Sequence, residues 1–396
     1  MIRALVGLRI LATRVGFALG TATGMPRGVL LATAHLDAPT GNLAAIGQAL
    51  GRRGVTPLVL ARGARPGPLA RFAWLLFHVV AGFRLARARL VVVDDYFFPL
   101  YAVRPHAETT VVQVWHACGA LKKFGWSVLD KTFGAREDFV RAVRIHSNYD
   151  LCLVSSKAAI PHYADAFRQP EEAFVSALGI PRTDVLAERA SHAAIAAEVR
   201  RELSIPAGRR VLLYAPTFRG DRVGTAESGP LLDLRSLADA LGPDFVVVLR
   251  LHPFVRARLR LPAGLGSSVV DASAYADVNR LMIASDILVT DYSSVVFEYA
   301  LLRRPIVLFA PDLERYERER GFYIDYRSDM PGPVFTEPND LVSYVADGSF
   351  DLARVARFAE RWFDVADGQA TERFVERVAL PALARGRITA ADVAGG

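Results

Sequence analysis

The chain of 396 residues has no uncharged apolar run of the length, about 20 residues, that crosses a bilayer. Two stretches come nearest. The segment from Ile2 to Leu19 is broken by Arg3, Arg9 and Arg14, and Phe72 to Phe83 is bounded by Arg71 and Arg84. Neither is expected to span. On a helical wheel the first spreads its apolar residues around all sides, and its interrupted core reads poorly as a signal peptide. It is expected to rest at a membrane interface or to pack as an ordinary helix. Cysteine is scarce too. Cys118 and Cys152 have no metal-type spacing and make no disulfide framework, which fits a reducing cytoplasm. No Asp-x-Asp pair of the metal-binding kind occurs, so no metal or cofactor is expected to be built into the site. Lysine is limited to four residues, so the formal charge of +7 rests on arginine, whose forked donors suit phosphate.

The remaining composition, 52% hydrophobic and 22% charged, is that of a folded protein with ample core, and the length calls for two domains. The most informative stretch runs from Ala284 to Phe309. An apolar run, Ile287 to Val289, ends in Thr290-Asp291-Tyr292-Ser293-Ser294; a helical pattern through Leu302 follows, then a second apolar run, Ile306 to Phe309. Strand, polar turn, helix, strand is one unit of a parallel α/β sheet. At the turn, free backbone N–H groups and the positive end of a helix face outward and suit phosphate. Glu298, one turn in, is placed to accept hydrogen bonds from sugar hydroxyls. A serine-capped helix start is by itself a common structural device.

The rest of the chain repeats the pattern. Strands are expected at 28–33, 55–60, 90–93, 110–115 and 148–155, then at 210–214, 245–251 and 269–272, with a linker helix from Val185 to Ala207 between the two sets. His78, among apolar neighbours, reads as a packed histidine, and His35 and Asp37 as parts of a capped loop. The helix from Phe72 to Leu90, whose apolar part is followed by Arg84, Arg87 and Arg89, has the layout of one that docks on acidic lipid, and equally of a flanked core helix. Asp94 and Asp95 are adjacent on a strand and point to opposite faces, so they read as structural or loop-orienting rather than as a chelate. His116 leaves a strand just before Gly119, Lys122 and Lys123, the ingredients of a general base beside a cationic phosphate site. In the second half Thr217 and Arg219, Arg250 and His252, and Asp291 through Ser294 all sit at strand exits, which share one edge in a parallel sheet.

The strings VWHACGALKKFG (114–125), GIPRTDVL (179–186), YAPTFR (214–219), LRLHPF (249–254), the stretch from Ala284 to Phe309 and DLERYERERGFYIDY (312–326) resemble the CDP-glycerol glycerophosphotransferase family of teichoic acid synthesis, as does the late DGQATER (367–373). The resemblance implies an α/β, GT-B-like fold, two Rossmann-like domains facing across a cleft. Residues 1–185 would form the acceptor domain with membrane-proximal helices, 186–375 the CDP-donor domain, and 376–396 a tail or helix. It implies transfer of a polyol phosphate, glycerol phosphate foremost, from CDP-glycerol or CDP-ribitol to a hydroxyl of a lipid-linked, undecaprenyl-type acceptor. CMP would be released on the inner face of the cell membrane, with the enzyme cytoplasmic and peripheral and no nucleic acid as partner. By motif, His116 carries over as the base and His252 as a histidine facing the transferring phosphate. Thr217, Arg219, Ser293 and Ser294 carry over to the diphosphate and Glu298 to the ribose; Arg250, Asp291 and Thr371 complete the donor set. Where the family has His-Gly-Thr, this chain has His116-Ala117-Cys118, and Cys118 reads as a stand-in for a small hydroxyl residue rather than a nucleophile. A GT-B glycosyltransferase using a nucleotide-sugar donor is the alternative of like architecture, and a basic nucleotide- or membrane-binding module the non-enzymatic one.

Overall fold

The computed structural model describes residues 2–34, 37–61, 70–129, 131, 143–219, 227–228, 232–251 and 266–394; His35 and His252 lie outside them. Runs of Val, Ile and Leu build two six-stranded parallel sheets. In the first, β1 (Gly28–Thr33), β2 (Leu58–Ala61), β3 (Ala88–Val93), β4 (Thr110–Gln113), β5 (Leu151–Leu153) and β6 (Phe174–Val175) pair in the order β2-β1-β3-β4-β5-β6. The second begins with β7 (Arg210–Ala215), and a short antiparallel pair, β8 (Phe218–Arg219) and β9 (Glu227–Ser228), lies beside it. With β10 (Phe245–Leu249), β11 (Val269–Asp271), β12 (Ile287–Thr290), β13 (Ile306–Phe309) and β14 (Val334–Phe335) the order is β11-β10-β7-β12-β13-β14. The central strands are buried on both faces, as helix-covered parallel sheets must be. The strand order reverses between β1 and β3 in one sheet and between β7 and β12 in the other. Those are the places where strand exits open a crevice for ligands.

The two Rossmann-like lobes are joined by more than a linker. Leu121 and Lys123 exchange backbone hydrogen bonds with Tyr323 and Gly321, and Lys122 forms a bridge with Phe322. After Trp362 the chain crosses back: the Asp364 N–H donates to Ser155 O, and the final helices lie on the first sheet, with the Ile388 N–H on the Thr110 hydroxyl and Arg387 on Asp150. The last stretch credited to the second domain, Ala370–Phe374, therefore rides on the first: the Arg373 guanidinium donates to Leu178 O. One hydrophobic cluster runs through both lobes, including Leu30, Val92, Phe297 and Trp362.

At the N-terminus α1 (Ile2–Ala22) lies along α3 (Ala70–Arg87), while α2 (Gly41–Arg52) follows β1. Small residues allow the close approach: a Cβ on Gly16 would stand 1.9 Å from Val79 O, and one on Gly82 2.0 Å from Thr13 O. Two of the arginines that break the apolar run, Arg9 and Arg14, turn onto the protein. Arg9 donates to His78 Nε2 and stacks on Trp74 and Phe98, and Arg14 donates to Ala102 O. His78 is the packed histidine expected. The expectation of an α1 without an apolar side is corrected: Leu5, Leu8, Leu11, Val15 and Leu19 form one exposed stripe, and Phe72, Leu76 and Val80 of α3 form another. With both arginines accommodated, Ala4–Ala22 is also long and apolar enough to cross a membrane by length and composition, contrary to the reading from its charges.

Candidate active site

The exits of β3 and β4 carry Asp94, Asp95 and His116. Beyond β4 the chain bends at Trp115, whose φ of +49° is unusual for a bulky residue and must be held from outside. It is held. Gln113 Oε1 accepts from the Trp115 N–H, Asn42 Nδ2 donates to Val114 O and Trp115 O, and Arg182 Nη1 donates to His116 O. The result aims the imidazole outward. His116 stacks on Trp115, its side chain is 51% exposed, and its Nδ1 lies 3.1 Å from Asp94 O and 3.3 Å from Asp95 Oδ2. Both neighbours are acceptors, so Nδ1 carries a proton, and in the neutral ring the lone pair falls to Nε2. Asp95 thus orients the histidine. Burial pushes the Asp94 carboxyl up to about 6; the Thr33 hydroxyl and the His116 ring oppose the rise, and the Asp95 charge adds to it.

The next residues run into the second lobe. Gly119 has a φ of +59°, and a Cβ there would stand 2.1 Å from the Phe297 ring, so this loop lies flat on the helix Val295–Ala300. Burial, then the nearby Glu298 charge, raises the Cys118 thiol well above its usual range, which leaves no thiolate to act as nucleophile. Lys122 is pushed down to about 7 by burial and by Arg320, with Asp291 opposing.

In the second lobe the switch point is closed by an ion cluster. Asp291, at the end of β12, accepts from the Thr217 N–H at 2.8 Å and pairs with Arg219 Nη1 at 3.0 Å. Arg219 also grips Asp312 with two hydrogen bonds, of 2.8 and 2.9 Å, and donates to Thr217 O. Burial disfavours the Arg219 charge, but Asp312 and Asp291 more than offset it and raise its pKa. Burial likewise favours the neutral form of Asp312, yet its Arg219 hydrogen bonds and charge bring it down to about 2. Arg219 and Asp291 therefore face each other and shape the turn. Left uncommitted are the Thr217 hydroxyl, which is buried without a protein partner, and the half-buried Ser293 and Ser294. Ser294 precedes the helix but makes no side-chain cap, and Ser293 Oγ is only a distant acceptor, at 3.5 Å, for the Val295 N–H. That helix is six residues long, so local N–H groups rather than a long dipole would meet an anion.

Glu298 is buried, paired with Arg182 Nε at 3.4 Å, and its Oε2 accepts no well-formed hydrogen bond. Burial raises its pKa, with the Arg182 charge the chief opposing influence. Arg250 donates to Tyr275 O, leaves its Nε without a partner and sits in the field of Asp277 and Arg182. Thr371 stands apart from the ion cluster: its N–H donates to Asp184 Oδ2 and its hydroxyl to Pro181 O, beside Arg182 in sequence. The structure thus gathers Thr217, Arg219 and Asp291 with the Ser293–Ser294 turn, and His116 with Glu298 through Arg182. His252, immediately after Leu251, falls outside the described residues. Among the described residues no group of three or more His, Cys, Asp or Glu side chains gathers as for a metal ion. Sequence reasoning assigned nothing to Arg182, Asn42 or Asp312. Arg182 and Asp312 lie inside strings that carried the family resemblance, and Asn42 follows the glycine at the exit of β1, the signals that would have pointed to them.

Residues 78–380 match the model of a family described as CDP-glycerol:poly(glycerophosphate) glycerophosphotransferase. The chain is 40% identical to the teichoic acid ribitol-phosphate primase of Bacillus spizizenii over 78% of its own length and 79% of that protein's. Identity to the teichoic acid glycerol-phosphate primase of Bacillus subtilis is 27%, over 75% of each chain. The teichoic acid poly(ribitol-phosphate) polymerase of Bacillus spizizenii is matched at 32% over only 48% of its length. Among solved structures, the wall teichoic acid polymerase TagF superposes with a TM-score of 0.75 at 26% identity, covering 91% of this chain and 90% of that one.

Proposed function

Because the chain belongs to the CDP-glycerol:poly(glycerophosphate) glycerophosphotransferase family and is an enzyme of that CDP-polyol phosphotransfer class, we propose that His116 is its general base and that the turn at Ser293 and Ser294 holds the donor diphosphate. His116 Nε2 takes the proton of an acceptor hydroxyl. The freed oxygen attacks the polyol-bearing phosphorus, and the bond to CMP breaks. Phosphoryl transfer asks chiefly for alignment and for donors aimed at the non-bridging oxygens. The Thr217, Ser293 and Ser294 hydroxyls, the N–H groups of the turn and Arg250 would supply them, and His252 belongs beside them by motif. Asp291 and Arg219 set the turn, and Thr371 holds the 181–184 segment that carries Arg182. The observation that carries this reading is the two-link connection from the base to the donor helix: Arg182 donates to His116 O and pairs with Glu298, four residues after Ser294.

The acceptor is lipid-linked in this reading, and the enzyme is a peripheral protein of the inner membrane face. Two adjacent helices present apolar stripes outward, and a chain of net charge +7 favours an anionic bilayer. The motifs led to glycerol as the polyol, whereas identities of 40% to a ribitol-phosphate primase and 27% to a glycerol-phosphate primase favour ribitol. One assay addresses all of this: CMP release from CDP-glycerol and CDP-ribitol, with a lipid-linked acceptor carried in anionic or neutral vesicles. Acceptor-dependent CMP release, faster on anionic vesicles, is the expected result. No CMP from either donor, with turnover of a nucleotide sugar instead, overturns the reading.

A further inference from the structure

We infer that Arg182 is a positioning residue that holds the catalytic imidazole of one lobe in register with the donor helix of the other. The inference rests on the reading of His116 as base. Three successive carbonyls after β4 are gripped from one side, Val114 and Trp115 by Asn42 and His116 by Arg182. Asn42 is spent fully, because its Oδ1 accepts the Arg182 N–H at 2.9 Å. Arg182 is itself fixed from the second lobe, where Asn279 Nδ2 donates to its carbonyl at 2.7 Å. Its guanidinium then reaches Glu298, whose side chain is 2% exposed. The unfavourable φ of Trp115 makes this grip necessary: without it the strand exit would relax and swing His116 off its line.

The pair is poorly built for stability. Arg182 Nε and Glu298 Oε1 are 3.4 Å apart without hydrogen-bond geometry, and Oε2 accepts no well-formed hydrogen bond, the weak Cys118 thiol being the other group that faces the carboxylate. A buried ion pair so incompletely satisfied does not repay its desolvation, so its use lies in geometry. The arrangement also makes the two roles separable. Removing Arg182 alone strands a buried carboxylate, whereas replacing both partners with apolar side chains of similar size removes that penalty.

The test compares Arg182→Lys, Arg182→Met and the double variant Arg182→Met/Glu298→Met for melting temperature, CDP affinity by calorimetry, and kcat and donor KM in the CMP-release assay. Arg182→Lys keeps the charge but loses the fork, and is expected to lose about tenfold or more in kcat with CDP affinity changed less than about threefold. The double variant is expected to recover the melting temperature lost by Arg182→Met while kcat stays about tenfold or more below wild type. A kcat within about twofold of wild type in Arg182→Lys, or one that returns together with the melting temperature in the double variant, overturns the inference. If the wild-type chain releases no CMP, it is the functional reading that fails, an outcome distinct from wild-type turnover that Arg182 does not influence.

Discussion

The two lobes share one topology and solve one problem, fixing a strand exit at a switch point, by opposite means. In the first lobe the exit after β4 is strained and is held by neutral amides and one arginine acting on backbone carbonyls, which leaves the imidazole half exposed. In the second, the exits after β7 and β12 are locked by an arginine shared between two carboxylates, and the hydroxyls are left free. On the roles proposed for His116 and the serine turn, the difference follows the chemistry each lobe would do. A general base needs a ring that keeps its direction while its charge changes, and main-chain clamps do not couple to that charge. A phosphate site needs donors that are not already spent, and an arginine neutralised by Asp291 and Asp312 serves as scaffold while Thr217, Ser293 and Ser294 stay available.

The largest effect expected from breaking this contrast falls on the first lobe. His116→Ala should lower kcat about 1,000-fold, the middle of the range for a general base, and leave CDP-polyol affinity within about threefold. An equal loss of binding would mean that the ring meets the donor, and the separation of tasks between lobes would fall. The second lobe should respond in the opposite currency. Arg219→Met leaves Asp291 buried without its cation and Asp312 with Arg315 alone, and should cost about 3–5 kcal/mol of unfolding free energy in a urea titration. A variant that lost activity at unchanged stability would instead make Arg219 a direct phosphate ligand, as its place in the sequence suggested.

Much of this was legible in the sequence, and the remainder was hidden for a common reason. The apolar runs at 287–289 and 306–309 became the strands Ile287–Thr290 and Ile306–Phe309, because local burial on both faces decides them. Strand exits with hydroxyls and basic residues located Thr217, Asp291 and the serines. The run at 148–155 shrank to Leu151–Leu153, however, because Asn148 takes a φ of +69° and donates to Leu100 O and Val103 O from a turn. Glu298 read as an acceptor for sugar hydroxyls one turn into a helix, yet it is buried and paired with Arg182, more than 100 positions earlier. What escaped were pairings of residues far apart along the chain. Periodicity carries no record of them.

The smallest effect separates the lobes by pH. His146, in the aromatic cluster beneath Trp115, is buried against Phe167 with its Nδ1 on the Tyr149 hydroxyl. Burial pushes its pKa down to about 3, with Asp95 opposing. A histidine lowered from about 6.5 contributes stability that is present above pH 6.5 and is lost as pH falls toward 3. At pH 5 the loss is about 2 kcal/mol. Asp312 has the carboxylate sign: its contribution is present above about pH 4 and fades only as pH falls through about 2. Acid should therefore weaken the first lobe while the second still holds. Asp94, raised to about 6, works the other way and partly masks the loss, so a difference between variants is the cleaner reading. Urea titrations at pH 7.5 and pH 5 of wild type and His146→Asn supply it, since asparagine tolerates the φ of +62° at this position. The stability lost between the two pH values should shrink by about 2 kcal/mol in the variant. An unchanged pH dependence would mean that the ring titrates in the folded protein as it does in the unfolded chain, and the first lobe would then be no more sensitive to acid than the second.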